Sequence, residues 1–197
     1  GGPTLTPTPT ITPGGPTLTP TQTPTPGGPT PTIPPDATML FLSLNLEGFL
    51  GTYVPVRKDE PVVIDLASPT ASISGVAGEV VYSDVSRHFD GNIFLGTTIV
   101  DGVYRLFVKG TSYLRRDFGN ITIQSKTVNF VPFDPDKLLL SCDLNNDNVV
   151  NILDINQVYT DIKKDIVIDS LADIDRDGDV DIFDHNFCVQ NFLKEGE

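Results

Sequence analysis

Thirty residues apart, the C-terminal third of the chain carries the same pattern of oxygen-bearing side chains twice. Asp143, Asn145, Asp147, Asn151 and Asp154 stand at positions 1, 3, 5, 9 and 12 of a twelve-residue stretch, and Asp173, Asp175, Asp177, Asp181 and Asp184 repeat that register. Ligands on alternate residues of a tight loop turn inward, which is how a chain surrounds a hard divalent cation that takes roughly six to eight oxygens. Position 7 offers only its backbone carbonyl, so Val149 is acceptable there in the first stretch, as is Asp179 in the second. Position 6 must bend sharply and holds Asn148 and Gly178, residue types that tolerate positive φ. A metal-free Asp-rich turn accounts for one such stretch, but not for two in matching register. The implied cofactor is two Ca²⁺.

Each stretch runs into a helical pattern. Ile155, Val158 and Ile162 fall on one face of the first helix, with His185, Cys188 and Phe192 at the equivalent places of the second, and both sets are expected in a core. Position 8 is valine in both loops, Val150 and Val180, as a short β-bridge between the loops would require. Cys142 immediately precedes the first ligand and Cys188 points inward. They form either a disulfide or two buried thiols. His185 reads as a boundary residue at a helix start, because hard Ca²⁺ prefers oxygen.

Position 12 is Asp rather than Glu, and no amphipathic helix enters either loop, which departs from the ordinary EF-hand. The segments LSCDLNNDNVVNILDINQVYTDI and LADIDRDGDVDIFDHNFCVQNFL resemble the dockerin family, from about Leu140 to Lys194. That resemblance implies a secreted, non-catalytic attachment module, extracellular or on a cell surface, whose partner is a cohesin-like domain. Family contact positions 10, 11, 17, 18 and 22 carry over as Ile152, Leu153, Tyr159, Thr160 and Lys164, with Ile182, Phe183, Val189, Gln190 and Lys194 on the second unit. The apolar pairs at positions 10 and 11 depart from the small hydroxyl residues of one dockerin class. Near-symmetry would let either unit bind. Five carboxylates in the second loop against three in the first imply strong repulsion without metal, and a module largely unfolded without Ca²⁺.

The rest of the chain supports this picture. Formal net charge is −13, and residues 137–197 hold 14 acids against 5 bases, the reverse of what binding to nucleic acid or an anionic membrane needs. No apolar run is long enough for membrane insertion. Residues 1–35 are uncharged and repeat GGPT at Gly1, Gly14 and Gly27, the composition of a disordered or polyproline II spacer and of O-glycosylated stalks. The chain starts at Gly1 without a leader, as a processed chain or C-terminal fragment would.

From Asp36 to about Asp136 the pattern is strand-like. Leu40, Leu42, Leu44 and Leu46 alternate with Phe41, Ser43, Asn45 and Glu47, and further strands are predicted at Val62–Leu66, Val76–Tyr82, Ile93–Val100, Val103–Lys109, Asn120–Gln124 and Val128–Phe133. Turns are predicted at Asp90-Gly91, Asp101-Gly102 and Gly119-Asn120. The fold class is therefore mostly β plus small α: an antiparallel β-sandwich, then, over residues 137–197, the pair of calcium-binding loop-helix units. Residues 38–134 resemble the immunoglobulin-like or carboxypeptidase-regulatory-like sandwiches found beside dockerins. Only Pro135–Ser141 separates sandwich and loops, so docking is expected. Two other readings remain open: a calcium-stabilised structural end of a surface protein, or a polysaccharide-binding sandwich using Tyr82, Phe89, Tyr104 or Tyr113. An enzyme is not expected, since His88 with Asp84 and Ser86 is a crowded strand end rather than a triad.

Overall fold

The computed structural model describes residues 34–49, 53–162, 164 and 170–197; the expected Pro/Thr spacer falls outside the described residues up to Ile33. From Pro34 to Glu197 the chain is one compact unit. Its strands are β1 (Thr38–Leu46), β2 (Asp59–Ala67), β3 (Ser72–Tyr82), β4 (Phe89–Gly96), β5 (Gly102–Gly110), β6 (Arg116–Ile123), β7 (Val128–Val131) and β8 (Leu138–Leu139), followed by α1 (Ile152–Ile162) and α2 (Ile182–Asn191). The four alternating leucines of β1 are each 0–1% exposed. At about 2 kcal/mol per fully buried aliphatic side chain, they make β1 a principal stay of the core.

Hydrogen bonding runs β6-β5-β2-β3-β4-β1-β7. β3 pairs with β2 along most of its length and with β4 only at Val81 and Tyr82, so its end joins two layers of a β-sandwich. Leu40, Leu42 and Leu44 of one layer meet Ile64, Leu106 and Val108 of the other across one apolar cluster. The sandwich is not antiparallel throughout: β1 pairs antiparallel with β4 but parallel with both β7 and β8. Alternation within a strand fixes which face is buried, and leaves neighbour and direction open.

Two predicted turns lie inside strands. Asp90-Gly91 sits within β4, and the reversal occurs before it, where Ser83 N donates to His88 O. A side chain at position 91 would come within 2.3 Å of Glu79 O, so this glycine serves the close approach of β3. Gly119-Asn120 is paired within β6, next to a bulge at Phe118, where Leu106 faces Gly119 and Phe107 faces Asp117. The strand predicted to reach Val100 ends at Gly96.

The connector Pro135–Ser141 is woven into the sheet. Leu138 and Leu139 pair with Asn45 and Leu46, and Leu114 N donates to Leu140 O. A second apolar cluster follows, formed by Cys142, Val150, Val158, Ala172, Ile174, Val180 and Cys188, with Leu114 contributed from the sandwich side. The deepest link is Arg176, fully buried, whose Nη2 lies 2.6 Å from Glu60 Oε2. Its Nη1 donates to Arg57 O and Asp59 O, and the guanidinium sits 4.8 Å from the Phe89 ring centre. Removing one partner of a buried pair strands the other charge. Glu60→Ala is expected to lower stability by about 3–5 kcal/mol in urea denaturation, and the paired change Glu60→Leu/Arg176→Met to recover most of it.

Candidate metal centre

Both twelve-residue stretches close into loops on the same internal scheme. The position 12 carboxylate is a backbone hub: Asp154 Oδ1 accepts from Leu144 N and Asn145 N and its Oδ2 from Asn151 N, while Asp184 accepts likewise from Ile174, Asp175 and Asp181. Asp184 and Asp181 form a capping box that starts α2. The position 1 carboxylate is buried and bonded on one side only. Asp143 Oδ2 accepts from Asn148 N and Asp173 Oδ2 from Gly178 N, whereas Oδ1 of each has no hydrogen-bond donor among the described residues. Asn148 and Gly178 at position 6 take positive φ, as do Asn146 and Arg176 at position 4, a second bend that the sequence pattern did not announce.

Carboxylate oxygens of Asp173, Asp175 and Asp177 lie within 4.8 Å of one another, as do those of Asp179, Asp181 and Asp184. In the first loop Asn145 and Asn151 replace two acids and donate to Asp147 Oδ2. The electrostatics follow. Burial, then repulsion from Asp184, pushes Asp173 up to about 6 and Asp175 up to about 7; burial also raises Asp184. In the first loop, the Asn145 amide holds Asp147 below its ordinary value. Tyr53, whose hydroxyl donates to Asp175 O, is raised by burial and by the neighbouring acids.

The donor set fits Ca²⁺. Hard oxygens from Asp143, Asn145, Asp147, Asn151, Asp154 and the Val149 carbonyl would hold one ion, and those from Asp173, Asp175, Asp177, Asp181, Asp184 and the Asp179 carbonyl the other. An unbonded, buried carboxylate oxygen in each loop is the group such an ion would satisfy.

The two loops do not bridge to each other through their valines. Val150 N donates to Lys194 O and Leu193 N to Val150 O, so the chain after α2 covers the first loop. The second loop is covered instead by the segment before β2, where Val56 N donates to Arg176 O. Val150 and Val180 are both buried in the second apolar cluster. The start of α1 thus lies beside the end of α2, and Tyr159 meets His185 at 5.9 Å, so the helices run antiparallel. Cys142 and Cys188 are joined as a disulfide, with Cα atoms 5.2 Å apart.

The expected core faces are shorter than their spacing suggested. Val158 and Cys188 are buried, Ile155 and His185 are half-buried, and Ile162 and Phe192 are exposed, because α1 ends at Ile162 and α2 ends before Phe192. All ten residues assigned to partner contact are exposed, with Ile152, Leu153, Tyr159, Ile182, Phe183 and Val189 each more than half accessible. Lys164 is paired with Asp161 and Lys194 with Asn191 Oδ1. Tyr82, Phe89, Tyr104 and Tyr113 are core residues, 0–6% exposed, so none can be a sugar-stacking platform.

Two residues escaped sequence reasoning. Lys109 reaches from β5 to Asp143, and Arg176 reaches out of the second loop to Glu60. Both pairings span long sequence separations, so only the unusual cation at position 4 of an otherwise acidic loop hinted at either.

No protein-family model and no curated protein matches the chain. Among solved structures it is similar to one chain of an N-terminal interface mutant of a type II cohesin–X-dockerin complex from Acetivibrio cellulolyticus, at 17% identity over 81% of this chain and 97% of that one, with a TM-score of 0.51. A C-terminal interface mutant of that type II complex gives 18% identity over the same shares and a TM-score of 0.50. At this identity the likeness is one of fold: a mostly β sandwich with two short helices.

The raised acids give a pH dependence with a definite sign. Asp173 and Asp175 bind protons more tightly folded, at about 6 and 7, than at the ordinary 3.8, so their contribution to stability is present at acid pH and lost as pH rises through 4 to 7. In chelator, the melting temperature difference between wild type and Asp175→Asn is expected to widen in favour of the variant from pH 5 to pH 8, and to vanish with saturating calcium only if the variant still loads.

Proposed function

We propose that this chain is a non-catalytic attachment module of the dockerin kind, secreted or surface-borne, in which two calcium ions hold a loop-helix pair that captures a cohesin-like domain. The observation that carries the reading is the coincidence of two features. Each loop has a buried position 1 carboxylate with a free oxygen, and each loop launches a helix whose residues at matched positions expose apolar side chains to solvent. Ile152, Leu153 and Tyr159 on α1 answer to Ile182, Phe183 and Val189 on α2, and exposed apolar residues arranged this way favour a protein partner. The alignment over 97% of a chain from cohesin–X-dockerin complexes supports a partner of that system. The acidic loop-helix pair favours the dockerin side of it. The buried disulfide suits an oxidising compartment.

A second reading, a structural end with no cohesin partner, is favoured by the buried Arg176–Glu60 pair that welds loop to sandwich. Calorimetry against a type II cohesin domain separates the two. Two calcium ions per chain and calcium-dependent binding are expected, with chelator abolishing capture. Because the two units are near-equivalent, Leu153→Asp or Phe183→Asp alone is expected to weaken binding only several-fold, and the double variant by about 100-fold or more. Calcium uptake without any cohesin binding would favour the structural reading.

A further inference from the structure

Lys109, the penultimate residue of β5, places its ammonium in a site made of oxygens. It donates to Asp143 Oδ2 at 2.6 Å, to Tyr113 O at 2.7 Å and to Gly110 O at 3.2 Å, which uses all three donors of an ammonium. Its side chain is 16% exposed and that of Asp143 is fully buried, so this is a fixed pair held by sandwich backbone. Asp143 Oδ2 also takes the Asn148 N–H, which leaves Oδ1 as the oxygen available to a metal. The second loop has no counterpart. Among the described residues no Lys or Arg pairs with its ligands, since Arg176 turns to Glu60. The first loop therefore presents three side-chain carboxylates with one charge already offset by Lys109, and the second presents five with none offset.

We propose that Lys109 is a positioning residue that makes the two calcium sites unequal: it fixes Asp143 with Oδ1 free for metal, and its charge lowers the affinity of the first loop, so that calcium fills the second loop first. The inference rests on the calcium reading above. Affinity at oxygen sites follows ligand charge, and a fixed cation behind a ligating carboxylate opposes a divalent ion at a distance where interior screening is weak. The sandwich thereby tunes one loop and not the other. Calcium would first order the end bearing Arg176, and only at higher concentration the end at which the chain leaves β8.

Calcium titration of the full chain by calorimetry tests this. The expected result is two classes of site separated by about tenfold or more, with Asp143→Asn abolishing the weaker class and Asp173→Asn the tighter. Lys109→Met is expected to tighten the weaker class by about tenfold and leave the tighter class unchanged, and Lys109→Arg to restore the gap. Should Lys109→Met fail to fold, Asn145→Asp adds a carboxylate at an exposed position of the first loop and is expected to narrow the gap with Lys109 in place. Equal affinities in the wild type, or a weaker class indifferent to both substitutions, would overturn the inference and leave the calcium reading standing. No calcium uptake would remove both.

Discussion

A carboxylate taken out of water must be met by hydrogen bonds or by positive charge, and the C-terminal third of this chain is organised around that requirement. Desolvating an ion costs several kcal/mol even after relaxation. Asp154 and Asp184 are met entirely by backbone N–H groups, which is why each loop closes in the same shape before any metal is considered. Asp143 and Asp173 are met on one oxygen only. Lys109 offsets Asp143 at Oδ2, whereas the crowded acids of the second loop, pushed up by burial and by each other, have no such partner among the described residues.

The same requirement explains how the sandwich and the loops become one body. Arg176 cannot stay among the acids of its loop with its backbone at positive φ and its side chain turned out, and the sandwich supplies Glu60, two carbonyls and the Phe89 ring to receive it. Glu47, at the end of β1, takes hydrogen bonds from Ser141 and from Asn191 at the end of α2. Arg115 N donates to Asn148 Oδ1, and its side chain holds the Glu197 carbonyl, so the tail that covers the first loop is pinned to β6 and its approach. The contacts of Glu47 and of Arg115 N are part-buried and that to Glu197 is exposed, so the buried Arg176–Glu60 pair is the one whose loss leaves a buried charge unsatisfied.

Much of this was legible in the sequence wherever a local rule governs. The leucines of β1 bury as alternation requires, the two twelve-residue stretches close on matching hydrogen-bond schemes, and α1 and α2 start at Ile152 and Ile182, directly after Asn151 and Asp181, whose side chains accept from Leu153 N and Phe183 N. What was not legible depends on partners far along the chain. Asp90-Gly91 has the composition of a turn, and only the nearness of Glu79 shows why a glycine belongs inside β4. The parallel pairing of β7 and β8 with β1 leaves no periodic trace. Val150 and Val180 suggested that the loops pair with each other, but the antiparallel helices put each loop against a different strip of chain, Leu193–Gly196 for one and the approach to β2 for the other. Phe192 kept helical spacing in sequence just past the end of α2, and Ile162 is the last residue of α1 and exposed.

That difference in mounting accompanies two units that share a loop scheme but not most of their residues. Their outward residues match in kind at two positions, where Ile152 and Leu153 in one unit and Ile182 and Phe183 in the other are apolar and exposed. Their inward settings differ. One loop leans on Lys109 and a returning tail; the other leans on Tyr53, Val56 and the buried Arg176. The repeat is therefore alike where its apolar pairs meet solvent and unlike where it meets its own sandwich, so the two loops are held by different sets of polar contacts.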